Sequence, residues 1–345
     1  MWLRRLASAA ARSMQQKKVV VTSQAFDETY KVLTSAGLHV VKNQRTEPWS
    51  RDELISHACD AHAILAFMTD CCDRTLLDAC PNLELIACAL KGFDNFDIDL
   101  CAERGVAVTA VPDLLTVPTA ELAVLLALGL GRRIREADHV VRSGAFKGWM
   151  PTLYGSGLAG AVIGIYGAGA VGRAVAERLK GFVPARLLYA DPIALHESTT
   201  NNSNVTMDLA NNLDDLLKAC DLVFICTPLN PSTYHAINSE NLSGAKPGMQ
   251  LINISRGSCV DEVAVADALE SGHLAGYAAD VFEFEDWILN DKPDSIEARL
   301  LSHPKTLFSP HLGSAVTSAR RDIEHAAAEE IIRWKKGEQF LYRVN

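Results

Sequence analysis

Val162-Ile163-Gly164-Ile165-Tyr166-Gly167-Ala168-Gly169-Ala170-Val171-Gly172 is the stretch on which the fold of this chain turns. Its first five residues are a short apolar run of strand character that ends directly at Gly167. From Ala170 to Lys180 the pattern continues as a helix. A strand, a Gly-x-Gly-x-x-Gly turn and a helix, in that order, make a dinucleotide-binding turn. Gly167 permits the tight turn, Gly169 lets a pyrophosphate approach the backbone, and Gly172 allows close helix packing. The phosphates then face the helix N-terminus, where free N–H groups point. Glycines also cluster in loops by chance, so the bare motif is weak and its context carries the reading. Asp191 supplies that context, at the end of the apolar run Leu187–Ala190. It can accept bonds from both ribose hydroxyls of NAD, and its charge repels the 2′-phosphate of NADP. NAD is therefore the expected cofactor.

Working outward, short runs rich in Val, Ile and Leu recur at 19–22, 64–68, 85–89 and 106–111, and again at 162–166, 187–190, 222–226, 251–254 and 307–309. Helical patterns lie between most of them. That alternation predicts an α/β fold with parallel sheets covered by helices on both faces. Thr116-Val-Pro-Thr-Ala-Glu121 reads as a helix start, with Thr116 as cap, Pro118 in the first turn and Glu121 at the positive end of the dipole. The residues that follow are apolar on all sides to Gly131, so the helix has to be covered everywhere, between domains or in a dimer interface. A second domain is expected to begin here.

Composition narrows the function class. At 345 residues the chain has room for two domains, and 48% hydrophobic with 22% charged residues is a globular composition. A net charge of −9 argues against nucleic-acid binding. Nine cysteines, scattered in apolar runs and without CxxC spacing, read as buried thiols, with no metal site expected. No apolar run reaches the roughly 18 residues of a membrane span. Residues 1–13 differ from the rest. They carry Arg4, Arg5 and Arg12, and no acid occurs before Asp27. That is the composition of a mitochondrial presequence, which would place the protein in the matrix. A disordered basic tail, or a start at Met14, leaves it cytoplasmic.

Three further residues have the chemistry that hydride transfer to or from an anionic substrate needs. Arg256 stands just past the apolar strand Leu251–Ile254, where ligands bind in open parallel sheets. An Arg can hold an oxyanion with two parallel bonds. Glu285 lies in an acidic loop, and His311 follows Pro310. An imidazole can exchange a proton near neutral pH, and a carboxylate can orient it. Taken singly, each is as readily a surface or structural residue, and the sequence alone does not show that they meet.

The ordered set Gly167–Gly172, Asp191, Arg256-Gly257, Asp280-Val-Phe-Glu-x-Glu285 and Pro310-His311-x-Gly313 resembles the D-isomer-specific 2-hydroxyacid dehydrogenase family. The resemblance runs from about Lys18 to the end. It implies two Rossmann-like domains with an interdomain cleft: residues 18–117 plus 312–345 as the substrate (catalytic) domain, and 118–311 as the NAD-binding domain. It also implies a small anionic substrate and a homodimer. The catalytic set carried over is Arg256 for the anion, His311 for the proton and Glu285 in support of His311. The cofactor set is Gly167, Gly169, Ala170, Val171, Gly172, Asp191, Thr119, Cys226, Thr227, Pro228, Ile254, Asp280, His311 and Ser314.

Within that family, Leu90-Lys-Gly-Phe-Asp-Asn-Phe-Asp97, Val111–Leu122, Glu285-Asp-Trp287 and Pro310–Val316 look like the phosphonate (phosphite) dehydrogenases. This narrower resemblance adds Lys91, Gly92, Arg320, Met68, Trp149 and Tyr154 to Arg256 as substrate-binding residues. Three cations, Lys91, Arg256 and Arg320, suit a dianion. The expected reaction is therefore NAD-dependent oxidation of phosphite to phosphate. One alternative is a D-2-hydroxyacid dehydrogenase or 2-ketoacid reductase acting on glyoxylate or hydroxypyruvate. The other is an NAD-sensing binding protein like the corepressors built on this fold.

Overall fold

The structure, a computed structural model, describes residues 16–191, 206–289 and 291–345. The candidate presequence and Met14 lie outside the described residues. The chain forms two compact units. One comprises the residues up to Leu114 together with Thr317–Asn345, and the other is Leu115–Val316. The breaks were expected at 117/118 and 311/312. The second falls later because the Asp280 carboxylate accepts from the backbone N–H of Leu312 and Gly313, at 2.7 and 2.8 Å, and so keeps that loop with the larger unit.

The smaller unit is a parallel sheet of β1 (Lys18–Val21), β2 (His39–Lys42), β3 (Ala63–Ala66), β4 (Leu85–Cys88) and β5 (Ala107–Thr109), in the order β2-β1-β3-β4-β5. The helix Thr317–Lys336 returns to pack on β3 and β4 and on the helix Asp27–Ser35. Its buried Glu324 accepts from the Phe26 N–H and the Thr29 hydroxyl, both at 2.9 Å.

The larger unit is also all parallel. Its strands are β6 (Val162–Tyr166), β7 (Arg186–Ala190), β8 (Asp208–Leu209), β9 (Leu222–Ile225), β10 (Met249–Asn253), β11 (Leu274–Ala279) and β12 (Thr306–Phe308). Their order is β12-β11-β10-β9-β6-β7-β8. The order reverses between β6 and β9, so the carboxyl ends of these two strands open the crevice where doubly wound sheets bind ligands. Alternation along β9 explains its unbroken apolar run. Leu222 and Phe224 enter one core layer, and Val223 and Ile225 enter the layer on the other face. Each such side chain, fully enclosed, contributes roughly 1.5–3 kcal/mol. Gly164 interrupts β6 for a packing reason: a Cβ there would lie 2.8 Å from Cys220 Sγ.

Two details of the expected helix start are corrected. Thr116 is the first residue of the helix Thr116–Gly131, and the capping position falls to Leu115, whose side chain makes no cap bond. Thr116 Oγ1 is buried without a hydrogen-bond partner. Glu121 pairs with Arg178 at 3.4 Å, one turn further along than a dipole partner would sit. The helix buries Ala120, Ala123, Leu126 and Ala127, but Val117 and Leu125 remain more than half exposed, so this chain does not cover it on every side. Among the described residues, no helix is long and apolar enough to cross a membrane.

Candidate active site

The glycine turn at the end of β6 is shaped by what surrounds it. Gly167 has φ +97°, and a Cβ there would lie 2.8 Å from the backbone of Cys226 and Thr227, at the end of β9. Only glycine fits that conformation and that approach. A Cβ on Gly172 would lie 2.1 Å from the Gly167 carbonyl oxygen, so helix and turn close on each other. At Gly169 a Cβ would meet nothing within 4 Å. Gly169 is also the capping residue of the helix Ala170–Leu179, and it has no side chain to bond the helix's first N–H groups. The turn is thus tight where it packs and open where a pyrophosphate would approach, with Ala170 and Val171 opening the helix beneath it. These residues fit the dinucleotide.

Asp191 directly follows β7, and its Oδ2 accepts from the Ala168 N–H at 2.7 Å. The expected ribose carboxylate is therefore fixed to the glycine turn. Thr227 is buried, Pro228 is exposed, and the Pro228 carbonyl accepts from the Thr233 hydroxyl at 2.6 Å, which folds this loop back on itself. Burial pushes the Cys226 thiol up to about 12, so it stays a neutral thiol. Ile254, Thr119 and Ser314 are all nearly enclosed. Thr119 lies beside Gly313, where a Cβ would sit 3.1 Å from Thr119 Oγ1.

Arg256, Glu285 and His311 come from three separate loops at the carboxyl ends of β10, β11 and β12. Gly257 brings the first two together. A Cβ on it would lie 1.8 Å from Phe282 C and 2.1 Å from Glu283 N, so the Arg256 loop lies flat against the Phe282–Glu283 peptide. Beneath Arg256, the enclosed Asn253 accepts from the Ser255 N–H at 3.1 Å and donates to the Arg256 carbonyl at 2.9 Å. Glu285 is aimed by its own turn. Its Oε1 accepts from the Phe282 N–H at 2.9 Å, and its Oε2 lies 2.7 Å from His311 Nδ1. A carboxylate at that distance accepts a hydrogen bond from Nδ1–H and leaves Nε2 as the nitrogen that exchanges a proton.

His311 has φ 55°, an uncommon conformation for a side-chain-bearing residue. Asp280 holds it there. Besides the two N–H groups after His311, its carboxylate accepts from the Ser309 hydroxyl at 2.5 Å, and the Asp280 carbonyl accepts from the His311 N–H at 2.8 Å. Burial pushes the Asp280 carboxyl up, while these hydrogen bonds pull it back down. Asp280 was expected as a cofactor residue; its carboxylate accepts from Ser309, Leu312 and Gly313, all in the His311 loop.

The remaining substrate candidates fall in both units, with Met68, Lys91, Gly92 and Arg320 at the carboxyl ends of β3 and β4 of the smaller one. In the smaller unit Lys91 forms an ion pair with Asp113, beside a half-buried Gly92. Arg320 donates to the Ala89 carbonyl at 3.1 Å, lies over the Phe67 ring at 5.7 Å and approaches Glu324 at 3.9 Å. Burial lowers its guanidinium from the usual arginine range, opposed by Glu324. Met68 is half-buried against the core of this unit. In the larger unit Trp149 is 84% exposed. Tyr154 lines a cavity of about 600 Å³ at the amino ends of β6, β9, β10 and β12, with Ala161, Leu222, Gln250 and Thr306. That is the sheet edge opposite the one bearing Arg256 and His311. Tyr154 is therefore not part of that cluster, contrary to expectation.

Sequence reading missed Asn253, Ser309 and Asp286, whose Oδ2 accepts from the Ser258 N–H at 2.8 Å. Asn253 and Asp286 bond loop backbone and Ser309 bonds the Asp280 carboxylate, and no spacing in the sequence signals such contacts.

A family model for the NAD-binding domain of D-isomer specific 2-hydroxyacid dehydrogenases matches residues 124–313. A glyoxylate reductase of Thermofilum pendens is 38% identical over 339 residues, covering 96% of this chain and 95% of that protein. The crystal structure of the TT0316 protein from Thermus thermophilus aligns with a TM-score of 0.84 at 30% identity, over 95% of this chain and 100% of that one. An NADPH-dependent glyoxylate/hydroxypyruvate reductase from Sinorhizobium meliloti, solved with NADP and malonate, aligns with a TM-score of 0.79 at 27% identity, over 96% of this chain and 97% of that one. Two of these three carry a glyoxylate reductase name and none that of phosphonate dehydrogenase, so they support the family and not the narrower resemblance. With more than half of the sequence under the family model and relatives matching nearly end to end, the chain belongs to the D-isomer specific 2-hydroxyacid dehydrogenase family and is an NAD-dependent oxidoreductase.

Proposed function

We propose that this protein reduces a short 2-keto acid of the glyoxylate or hydroxypyruvate kind to the 2-hydroxy acid. The observation that carries the reading is the 2.7 Å pairing of His311 Nδ1 with Glu285, on a turn that also supports the Arg256 loop. Reduced nicotinamide supplies the hydride. Arg256 grips the substrate carboxylate with its planar fork. His311 Nε2 gives its proton to the carbonyl oxygen as C2 becomes tetrahedral, and the Glu285 carboxylate keeps the ring oriented for that transfer. In the oxidative direction the same nitrogen takes the hydroxyl proton. The Gly167–Gly172 turn holds the pyrophosphate, and Asp191 selects the unphosphorylated ribose.

Phosphite oxidation is the second reading, and Lys91 with Arg320 is the feature that favours it. Both already have carboxylate neighbours, Asp113 and Glu324, which balance the charge a dianion would use. That balance, together with the names of the relatives, puts the singly charged keto acid first. Initial rates at 340 nm separate the two. NADH consumption with glyoxylate or hydroxypyruvate, and no NADH formation from NAD and phosphite, is the expected pattern. The reverse pattern would restore phosphite.

The homodimer is part of the same proposal. It is supported by exposed apolar side chains on the segment after the helix Thr116–Gly131, including Val141, Phe146, Trp149 and Met150. Sedimentation equilibrium that returns only a 37 kDa species would remove it.

A further inference from the structure

His235 lies outside every residue set considered above, yet it touches both loops that carry the reaction. Its backbone has φ 45°, a second left-handed histidine in this unit. Its N–H donates to the Ser258 carbonyl at 2.8 Å, two residues past Arg256. Its ring Nε2 lies 2.9 Å from Glu283 Oε2, two residues before Glu285. Tyr234 stacks on the ring at 4.2 Å between centroids.

Glu283 is the bolt between these loops. Its Oε1 accepts from the Glu262 N–H at 2.9 Å, and the Glu262 carboxylate accepts in return from the Glu283 N–H at 3.0 Å. Both carboxylates are nearly enclosed, at 8% and 3% exposure. Two carboxylates in so dry a place repel one another, and a cationic donor on one of them offsets that repulsion. His235 supplies that donor to Glu283, and the contact draws the imidazole above its ordinary value. Without it, Glu283 would turn outward for water and release the peptide on which Gly257 rests. The turn Glu283–Glu285 would then lose its register, and with it the aim of Glu285 at His311.

We propose that His235 is a positioning residue for the reaction, holding Glu283 so that the turn Glu283–Glu285 keeps Glu285 aimed at His311. This rests on the assignment of proton transfer to His311 and Glu285. The test is a double-mutant cycle of His235→Ala with Glu285→Gln, with His235→Gln as the conservative variant. Melting temperature and NADH affinity are recorded for each protein.

His235→Ala should lower kcat roughly tenfold while NADH affinity stays within about twofold. His235→Gln, whose amide nitrogen can still donate to Glu283, should recover most of that loss. Added to Glu285→Gln, His235→Ala should cost less than about twofold more, because its effect runs through Glu285. Three results would each overturn the proposal: an equal loss in both backgrounds, a kcat at the wild-type level in His235→Ala, or no recovery in His235→Gln. The cycle is run on whichever substrate the wild type turns over. A failure of the keto-acid reading would therefore show in the wild type alone and leave the cycle readable.

Discussion

At the scale of single residues, Arg256 and Glu285 do different work, and their variants should fail differently. Arg256→Lys keeps the charge and loses the two-bond fork. It should raise the KM for the keto acid and also lower kcat, because the carboxylate is held less firmly for hydride transfer. Glu285→Gln keeps an acceptor beside His311 Nδ1 but replaces a charge-assisted hydrogen bond with a neutral one that orients the ring less firmly. It should lower kcat by roughly ten- to a hundredfold and leave KM within about threefold. Asp191→Ala removes the carboxylate from the end of β7, so it should weaken NADH binding and narrow the preference for NADH over NADPH; an unchanged ratio of the two affinities would detach Asp191 from the ribose. Arg256, Glu285 and His311 were legible by type, because charge and strand-end position are local properties. The contact between their loops was not. It depends on Gly257 lying against Phe282–Glu283 and on Asp280 bending the His311 loop, contacts between segments far apart in the chain. Tyr154 shows the converse failure, since an aromatic side chain near a motif says nothing about which edge of a sheet it faces.

At the scale of elements, strands with a continuous Val/Ile/Leu run were legible and the others were not. β11, Leu-Ala-Gly-Tyr-Ala-Ala, is buried along nearly all its length, but its small residues resemble a loop until the covering Leu130 side chain over Gly276 is known. β2 and β8 are edge strands with few apolar residues, two of the four in β2 and one of the two in β8. Turns make sharper predictions than strands. Gly257→Ala has no room for its methyl group and must push the Phe282–Glu283 peptide aside. It should cost about 1–3 kcal/mol of stability and reduce kcat far more than NADH affinity. Normal turnover in a folded Gly257→Ala would mean the two loops need not touch. In the smaller unit, Asp70 pins the end of β3 by accepting from the Phe67 N–H at 2.7 Å and from the Thr22 hydroxyl. Burial raises its carboxyl to about 6. A raised carboxyl favours the folded state when protonated. Its stabilising contribution is therefore complete below the ordinary carboxylate range and is lost as pH climbs through about 6. Denaturant titrations from pH 4 to 8 should show this loss, on the order of 1–2 kcal/mol after allowance for water at its edge. Asp70→Asn should flatten that part of the profile, and an identical slope in the variant would contradict the assignment.

At the scale of the whole molecule, the two units differ in what the sequence revealed. The larger declared itself through one strand, turn and helix, because a nucleotide-binding turn constrains glycine positions tightly. The smaller has no such turn, and its order β2-β1-β3-β4-β5 follows from pairing that periodicity alone cannot assign. Its two cations were legible, but their pairing with Asp113 and Glu324 went unread. The central claim is that His311, oriented by Glu285, exchanges the proton in reduction of a 2-keto acid. The most direct measurement is the glyoxylate-dependent fall in absorbance at 340 nm for the wild type and His311→Ala at saturating NADH, with NADH binding to both proteins measured by fluorescence. The wild type should consume NADH only when the keto acid is added, and His311→Ala should bind NADH as well yet turn over roughly 10²–10⁴-fold more slowly. A wild type inert toward keto acids, or a His311→Ala variant with near-normal turnover, would contradict it.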